Sequence, residues 1–179
     1  MPRVYNLKDS NWSVVEKIEP LQNELSIKYF YSKWNIEPKK NKDKYGVDFL
    51  FRHPKTNKLI GVEYKTVEPK NWKYKNIKVY RSSQNNDNTP NQIYKELENN
   101  KSVHWHYLHP GSNQLFIIYN QEKLKKLYYR YCDINLPTAK ASFYNLFDQI
   151  IDIPENEPIL IKIKEIYLDI ANSNGLKIE

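Results

Sequence analysis

Residues 45–66 read YGVDFLFRHPKTNKLIGVEYKT. Two short apolar runs, Gly46 to Phe51 and Lys58 to Thr66, flank the turn-forming sequence His-Pro-Lys-Thr-Asn. Apolar, β-branched and aromatic residues bounded by such a turn predict two antiparallel strands joined as a β-hairpin. The segment therefore places its charged residues on neighbouring strands.

Three of these charged residues are expected to lie together. Side chains two positions apart on a strand point to the same face, so Glu63 and Lys65 project together, and Asp48 on the first strand lies beside Glu63. Two carboxylates and a lysine suit a hard divalent cation such as Mg²⁺, which takes oxygen ligands and keeps several waters. The alternative is a surface hairpin with a charged outer face, but Val62 and Tyr64 indicate an interior strand.

The order Asp48, then Glu63-Tyr64-Lys65, resembles the motif of the PD-(D/E)XK nuclease superfamily. In that motif an acid on one strand precedes an acid-x-lysine on the next strand. Val47 stands where the family name has proline. The resemblance implies a restriction-endonuclease-like α/β fold, in which helices flank a mixed central β-sheet in αβββαβ order.

The resemblance also implies roles for the motif residues. Asp48 and Glu63 would hold Mg²⁺, or Mn²⁺ in its place, and the carbonyl of Tyr64 would add a ligand. Lys65 would assist the attacking water and place positive charge near the phosphate, because phosphodiester hydrolysis builds negative charge there. The implied activity is metal-dependent cleavage of DNA.

A helix glutamate is the fourth expected member of the site. Residues 20–35, PLQNELSIKYFYSKWN, carry apolar side chains at helical spacing and predict an amphipathic helix. In several branches of the superfamily a glutamate on the first helix completes the metal shell, and this suggests Glu24, with Glu16 and Glu19 as rivals. The alternative for Glu24 is a local ion pair with Lys28.

Basic residues and aromatic rings interleave in residues 66–83, TVEPKNWKYKNIKVYRSS. Such a stretch can follow phosphates with its cations and stack bases on its rings. The candidate nucleic-acid contacts are Lys70, Lys73, Lys75, Lys78 and Arg81. Strand alternation instead favours a third strand that packs its rings in the core, namely Trp72, Tyr74 and Tyr80.

The rest of the chain predicts further elements but no further chemical motif. Residues 82–90 are predicted to form a polar loop, with Gln84 as a candidate site residue. We expect a helix over 91–100, strands over 103–108 and 114–119, and a helix over 121–131. Beyond these we expect a helix-like patch over 141–151, a strand over 159–166 and a helix over 166–171.

The histidines offer a second, weaker metal hypothesis. His104 and His106 share a strand face, with His109 nearby, and paired imidazoles can bind zinc. No acid or cysteine stands close to them in sequence, so hydrogen bonding in the core or a loop is favoured. His53 in the hairpin turn is expected near nucleic acid without a catalytic role.

Length and composition indicate one soluble intracellular domain. The 179 residues are 40% hydrophobic, with the core expected over residues 20–130 and residues 133–179 covering it or forming a dimer contact. No apolar run of about eighteen residues and no signal-peptide segment is present, so no membrane association is expected. Cys132 is the only cysteine, which excludes an intrachain disulfide, a cysteine zinc site and a cysteine-ligated iron–sulfur cluster.

The charge is concentrated in the half that holds the motif. Residues 1–81 contain 18 basic and 9 acidic residues, whereas residues 82–179 contain 10 and 12. A polyanion drawn to such a field binds quickly and releases counterions, so nucleic acid is the expected partner. The alternative is that the basic residues serve solubility only.

The leading hypothesis is therefore a Mg²⁺-dependent DNA endonuclease. Cutting both strands of a duplex requires two sites, so a homodimer is expected from symmetry. The first alternative is a non-catalytic nucleic-acid-binding module, which would bind equally well in the presence of a chelator. The second is an RNA nuclease on the same fold, because no sequence signature distinguishes the two nucleic acids.

Overall fold

The computed structural model describes residues 4–43, 46–74, 76–79, 82–83, 86–90, 92–130, 134–137 and 145–173. Four α-helices lie in these residues: α1 (Val4–Tyr29), α2 (Gln92–Glu98), α3 (Gln121–Arg130) and α4 (Pro158–Ser173). The strands are β1 (Lys39–Lys40), β2 (Phe49–Arg52), β3 (Leu59–Thr66), β4 (Asn76–Val79), β5 (Ser82–Ser83), β6 (Asn86–Pro90), β7 (Val103–His109), β8 (Gln114–Ile118), β9 (Ile134–Pro137) and β10 (Gln149–Asp152).

The main sheet has six strands in the order β1-β2-β3-β7-β8-β10. Strand β7 runs parallel to β3, and the other neighbours are antiparallel. A parallel neighbour requires a crossover, and the connection from β3 to β7 contains α2. The predicted α/β class is thus confirmed at the level of a mixed sheet with helices.

Helices cover both faces of this sheet. Helices α1 and α4 pack over one face, around Leu25, Val62 and Leu160. Helices α2 and α3 pack over the other face, around Ile93 and Trp105. Because both faces are covered, residues that point to either face of a central strand are buried, as residues 60–64 of β3 all are.

The hairpin that frames the motif is confirmed. Strands β2 and β3 pair antiparallel, with Phe49 opposite Val62 and Arg52 opposite Leu59. Gly61 is needed at its position because a Cβ there would lie 2.7 Å from a methyl group of Val47. The chain before β2 therefore packs closely against β3.

Helix α1 is longer than predicted. It begins at Val4 and contains Pro20, which was expected at the helix start. An interior proline removes one backbone hydrogen bond and usually bends or ends a helix. Here the turns on both sides of it pack against the rest of the protein, because Ile18, Gln22 and Leu25 are buried, and this packing offsets the loss.

The third strand predicted within residues 66–83 is present only as the short strand β4, which begins after Trp72 and Tyr74. Residues 69–71 form a 3-10 turn, and the indole Nε1 of Trp72 donates to the carbonyl of Val67 at 2.6 Å. Tyr74 is half exposed rather than in the core, and Tyr80 lies outside the described residues. Strand β4 pairs with β9 apart from the main sheet, so the third strand preceding α2 in the main sheet is β1, at its edge.

The C-terminal predictions also need correction. The residues that follow 144 in the patch predicted as helix form a turn and then β10, which closes the edge of the sheet beside β8. The strand predicted over 159–166 is the start of α4, in which Leu160 and Ile163 are buried three residues apart while Ile161 is exposed. Alternating isoleucines fit either pattern over so short a run, and Pro158 at the first helical position favours the helix.

Residues 82–83 and 86–90, predicted as loop, form the paired strands β5 and β6, whereas the chain from α2 to α3 follows the prediction. Helix α2 buries Ile93 and Leu97, and β7, β8 and α3 have the predicted positions within a residue or two. Within the described residues, no helix has both the length and the apolar character needed to cross a bilayer.

Candidate active site

Asp48 and Glu63 lie next to each other at the end of the hairpin. The register of β2 and β3 pairs Phe49 with Val62, so one step further places Asp48 opposite Glu63. The carboxylate Oδ2 of Asp48 accepts a hydrogen bond of 2.9 Å from the backbone amide of Tyr64. This bond fixes the Asp48 carboxylate against β3, beside its neighbour.

Glu63 is a buried acid with an unused oxygen. Its side chain is 6% exposed, and its Oε2 has no hydrogen-bond partner among the described residues. Burial raises the pKa of Glu63 well above its usual value, and the negative charge of Asp48 with a hydrogen bond to it raises the pKa further. The charge of Lys65 opposes this rise in pKa, and Glu19 adds to it.

Lys65 occupies the same face as Glu63, two residues further along β3, and its side chain is exposed. Its positive charge lowers the pKa of both Glu63 and Glu19, so the ammonium lies close enough to act on both acids. The backbone carbonyl of Lys65 accepts a hydrogen bond of 3.0 Å from Gln22.

Glu19 on α1 is the third acid at this place. It is half-buried, and desolvation, followed by the charge of Asp48 and a hydrogen bond to it, raises its pKa to about 8. Lys40 and Lys65 act in the opposite direction. Three carboxylates and two lysines are therefore in electrostatic contact where α1, β1, β2 and β3 meet.

Two buried amide side chains hold α1 in this position. Gln22 donates to the Lys65 carbonyl and accepts from the Thr66 hydroxyl at 2.6 Å, and Asn23 accepts from the Tyr64 hydroxyl at 2.5 Å. Residues three and four apart lie on one helix face, so Glu19 shares the face of these two amides. The face that contacts β3 near the acids is polar.

Glu24, the predicted helix ligand, is not brought to the acids. Its side chain is exposed, and it is not among the charges that act on Glu63 or Glu19. Glu24 is five positions after Glu19, and at about 100° per residue this turns its side chain roughly 140° away. Glu16, the other rival, is also exposed.

The sequence carried a signal for Glu19 that apolar periodicity hides. Glu19, Gln22, Asn23 and Ser26 recur at helical spacing, and the last three are buried. Polar residues at this spacing beside an apolar stripe indicate a second helix face that is packed against the protein, and Glu19 lies on that face. Lys40 had no such signal, because it belongs to a run of lysines.

The donor set fits a hard divalent cation in its chemistry. Burial, and then the negative charge of Asp48, raises the pKa of both Glu19 and Glu63, so the three acids cannot all ionise without cost. A cation with oxygen ligands would relieve it and would also satisfy the unpartnered Oε2 of Glu63. Within the described residues, no three acidic, histidine or cysteine side chains lie in an arrangement that could hold a metal ion as they stand.

Tyr64 contributes its backbone to this end of β3. Its ring is buried on the opposite face of the sheet from Glu63, beside Phe49. Its amide is engaged by Asp48, so its peptide unit adjoins the acids, and a role for its carbonyl remains a prediction.

The structure describes the side chains of only two of the five predicted nucleic-acid contacts, Lys70 and Lys73. Lys70 is exposed and lies 3.5 Å from the carboxylate of Glu68. Lys73 is exposed, with its ammonium 5.3 Å from the centroid of the Tyr74 ring. Lys75 and Arg81, like the candidate Gln84, lie outside the described residues, and of Lys78 only the backbone in β4 is described.

The histidines take hydrogen-bonding roles. The Tyr31 hydroxyl is hydrogen-bonded to both His104 and His106 at 2.9 Å, and the Ser26 hydroxyl binds the other nitrogen of His106 at 3.0 Å. Burial lowers the pKa of His104 to about 4 and that of His106 well below its usual value, so both are neutral at pH 7. His109 binds the carbonyl of Tyr74 at 2.7 Å.

Comparison of the chain with protein-family models, with curated proteins and with solved structures returned no match.

Proposed function

We propose that this protein is a Mg²⁺-dependent nuclease of the restriction-endonuclease-like fold that hydrolyses phosphodiester bonds in DNA. The observation that carries the proposal is the meeting of Glu19, Asp48 and Glu63 beside Lys65, with a buried oxygen of Glu63 left without a partner. Ordinary structural ion pairs do not leave three acids in mutual repulsion.

Each residue has a role in this proposal. Asp48, Glu63 and Glu19 would hold Mg²⁺ or Mn²⁺, with the Tyr64 carbonyl as a further ligand. When bound, the cation lowers the pKa of a water and neutralises charge on the phosphate. Lys65, exposed beside the acids, holds and orients the attacking water and adds positive charge where the leaving oxygen develops.

The substrate proposal depends on charge. The basic excess of residues 1–81 belongs to the half of the chain that carries the acids, and Lys40 acts directly on Glu19. A polyanion such as DNA would neutralise this excess and release counterions. Cutting both strands would need a homodimer or two binding events, because one cluster acts on one phosphodiester bond.

The test is cleavage of supercoiled, linear, single-stranded and four-way-junction DNA, and of RNA, with Mg²⁺ or Mn²⁺. We expect Lys65→Ala, Asp48→Asn and Glu19→Gln each to lower the rate at least about 100-fold, as loss of a group that acts on the transition state does. Glu24→Gln is the matched control, because it makes the same change on the same helix at an exposed position.

Three results would decide against the proposal. Equal losses of cleavage rate in Glu19→Gln and Glu24→Gln would show that Glu19 is not the metal ligand on helix α1. Cleavage of RNA but not of DNA would show that the substrate is RNA. Salt-sensitive binding that is unchanged by chelator, with no cleavage of any substrate, would leave a non-catalytic nucleic-acid-binding module.

A further inference from the structure

A separate cavity opens at the other end of the hairpin. Its volume is about 400 Å³, within the usual range for ligand sites, and aromatic rings form much of its wall. It is lined by Phe30, Tyr31, Trp34, Phe51, His104 and Tyr119, with the hairpin-loop residues His53 to Lys55 at one side.

The cavity is distinct from the acid cluster. It contacts the loop that precedes Leu59, whereas Glu63 lies four residues further along β3, or roughly 13 Å at the rise of a strand. His104 pairs with Val62 in the sheet, so it lies on the α1 and α4 face, opposite the face that carries Glu63. A ligand here does not occupy the acids.

The walls offer ring faces to a flat ligand. Trp34 and Tyr119 are 47% and 39% exposed, although each is a large aromatic side chain that proteins usually cover. The Phe30 ring packs against both, edge-on to Trp34 at 4.8 Å and stacked on Tyr119 at 5.8 Å. The Trp34 and Tyr119 rings are therefore held in place by Phe30 and remain partly exposed at the cavity, with the Lys33 ammonium over the Trp34 ring.

One polar group in the wall has an unused nitrogen. The Nδ1 atom of His104 is bonded to Tyr31, and its Nε2 makes no hydrogen bond to any residue that the structure describes. Burial keeps this imidazole neutral, with the charges of Asp148 and His53 acting on it in opposite directions. Asp148 itself is engaged by backbone amides and by Lys123 at 3.2 Å.

Two cations stand beside the rings. Lys55 lines the cavity, and the Lys33 ammonium lies 5.0 Å from the centroid of the Trp34 ring. Both lysines are exposed, and neither pairs with a carboxylate among the described residues. A ligand with a flat, hydrogen-bonding ring and an attached anion matches rings, imidazole and cations together.

We infer that this cavity binds a nucleobase attached to phosphate, either as a free nucleotide or as an unpaired base of a nucleic-acid strand. The base stacks on Trp34 and Tyr119, its edge hydrogen-bonds to His104, and the phosphate lies toward Lys33 and Lys55. The inference does not depend on cleavage at the acid cluster, because the two places share no residue.

The test is calorimetric titration of the full chain in chelator at pH 7.5. The probes are adenosine 5′-monophosphate, adenosine, ribose 5-phosphate and a single-stranded deoxyoligonucleotide. We expect the monophosphate to bind more tightly than adenosine, and ribose 5-phosphate to bind at least tenfold more weakly than the monophosphate. If the oligonucleotide binds at least tenfold more tightly than the monophosphate, the ligand of the cavity is an unpaired base of a nucleic-acid strand. If the two affinities are equal, the ligand is a free nucleotide.

Variants test the ring that carries the stacking. Trp34→Ala is expected to weaken binding of the monophosphate about tenfold or more, the usual effect of losing a base-stacking ring, whereas Trp34→Phe keeps most of the affinity. Tyr129→Ala is the matched control, because Tyr129 is 44% exposed on α3 and does not line the cavity. Lys55→Ala should weaken the monophosphate but not adenosine.

The inference fails if neither the monophosphate nor the oligonucleotide binds, if ribose 5-phosphate binds as tightly as the monophosphate, or if Trp34→Ala binds like the wild type. Tyr119→Ala provides a second ring variant if Trp34→Ala does not fold. Glu63→Gln separates this failure from failure of the nuclease proposal, because it should bind the monophosphate normally while losing cleavage.

Discussion

The carboxyl group of Glu63 is buried beside the acids Asp48 and Glu19, and this makes the stability of the protein depend on pH. Its pKa is raised in the folded protein, so the folded state binds the proton more tightly than the unfolded state does. The stabilisation that this proton provides is complete at low pH, and it is lost as the pH rises above the ordinary glutamate value near 4.5 through the folded-state pKa. The metal-free protein therefore becomes less stable toward alkaline pH.

Glu63→Gln should reverse this loss. In chelator at pH 8 we expect the variant to melt at least about 2–4 °C above the wild type, corresponding to roughly 1 kcal/mol, with a smaller difference at pH 5. Thermal unfolding followed by circular dichroism at both pH values measures it. Added Mg²⁺ should raise the melting temperature of the wild type and not that of the variant.

Glu24→Gln serves as the comparison for this experiment, since that side chain is exposed and adjoins none of the acids. A difference between Glu63→Gln and the wild type that does not change between pH 5 and pH 8 would show that Glu63 carries no raised pKa. The prediction would also fail if Mg²⁺ stabilised both proteins equally.

Helix α1 connects the acids to the rest of the fold through its polar face. Buried Gln22 bridges the Lys65 carbonyl and the Thr66 hydroxyl on β3, and these groups lose their partner in Gln22→Ala. Leaving buried polar groups unpaired costs about 1–3 kcal/mol. We expect Gln22→Ala to lower the melting temperature and to displace Glu19, so that half-maximal cleavage needs at least about tenfold more Mg²⁺.

The Mg²⁺ requirement distinguishes positioning from general destabilisation. Gln114→Ala is the matched control, because its amide makes an exposed bond of 3.1 Å to Asp152 far along the sheet. A lower melting temperature with an unchanged Mg²⁺ requirement would show that Gln22 stabilises the fold without placing Glu19.

The secondary structure could be predicted where local pattern and packing agree. The hairpin of β2 and β3 followed from its turn and its two apolar runs, and it placed Asp48 beside Glu63. The start of helix α1 could not be predicted in this way. Proline usually ends a helix, but packing by residues on both sides of Pro20 stabilises this helix across it. The structure places Glu24 away from the acids for a different reason: apolar periodicity located one face of α1, but the face that approaches the acids is polar.

The charge of the whole protein determines how strongly salt would affect its binding to DNA. The net charge is +7, and the excess lies in the half of the chain that carries the acids. Each phosphate neutralised by a lysine releases counterions, so the logarithm of the affinity falls linearly with the logarithm of the salt concentration. DNA binding should therefore weaken steeply with salt.

Lys40 is the cation to test, because it is exposed on β1 and its charge acts on Glu19. With the Glu63→Gln background in chelator to prevent cleavage, Lys40→Ala should weaken duplex binding uniformly across sequences and reduce the salt slope by about 1. Fluorescence anisotropy between about 50 and 200 mM salt measures this slope. Lys162→Ala is the control, because Lys162 is exposed on α4 in the half without excess positive charge, and equal slopes in the two variants would show that DNA does not approach the acid cluster from the side of β1.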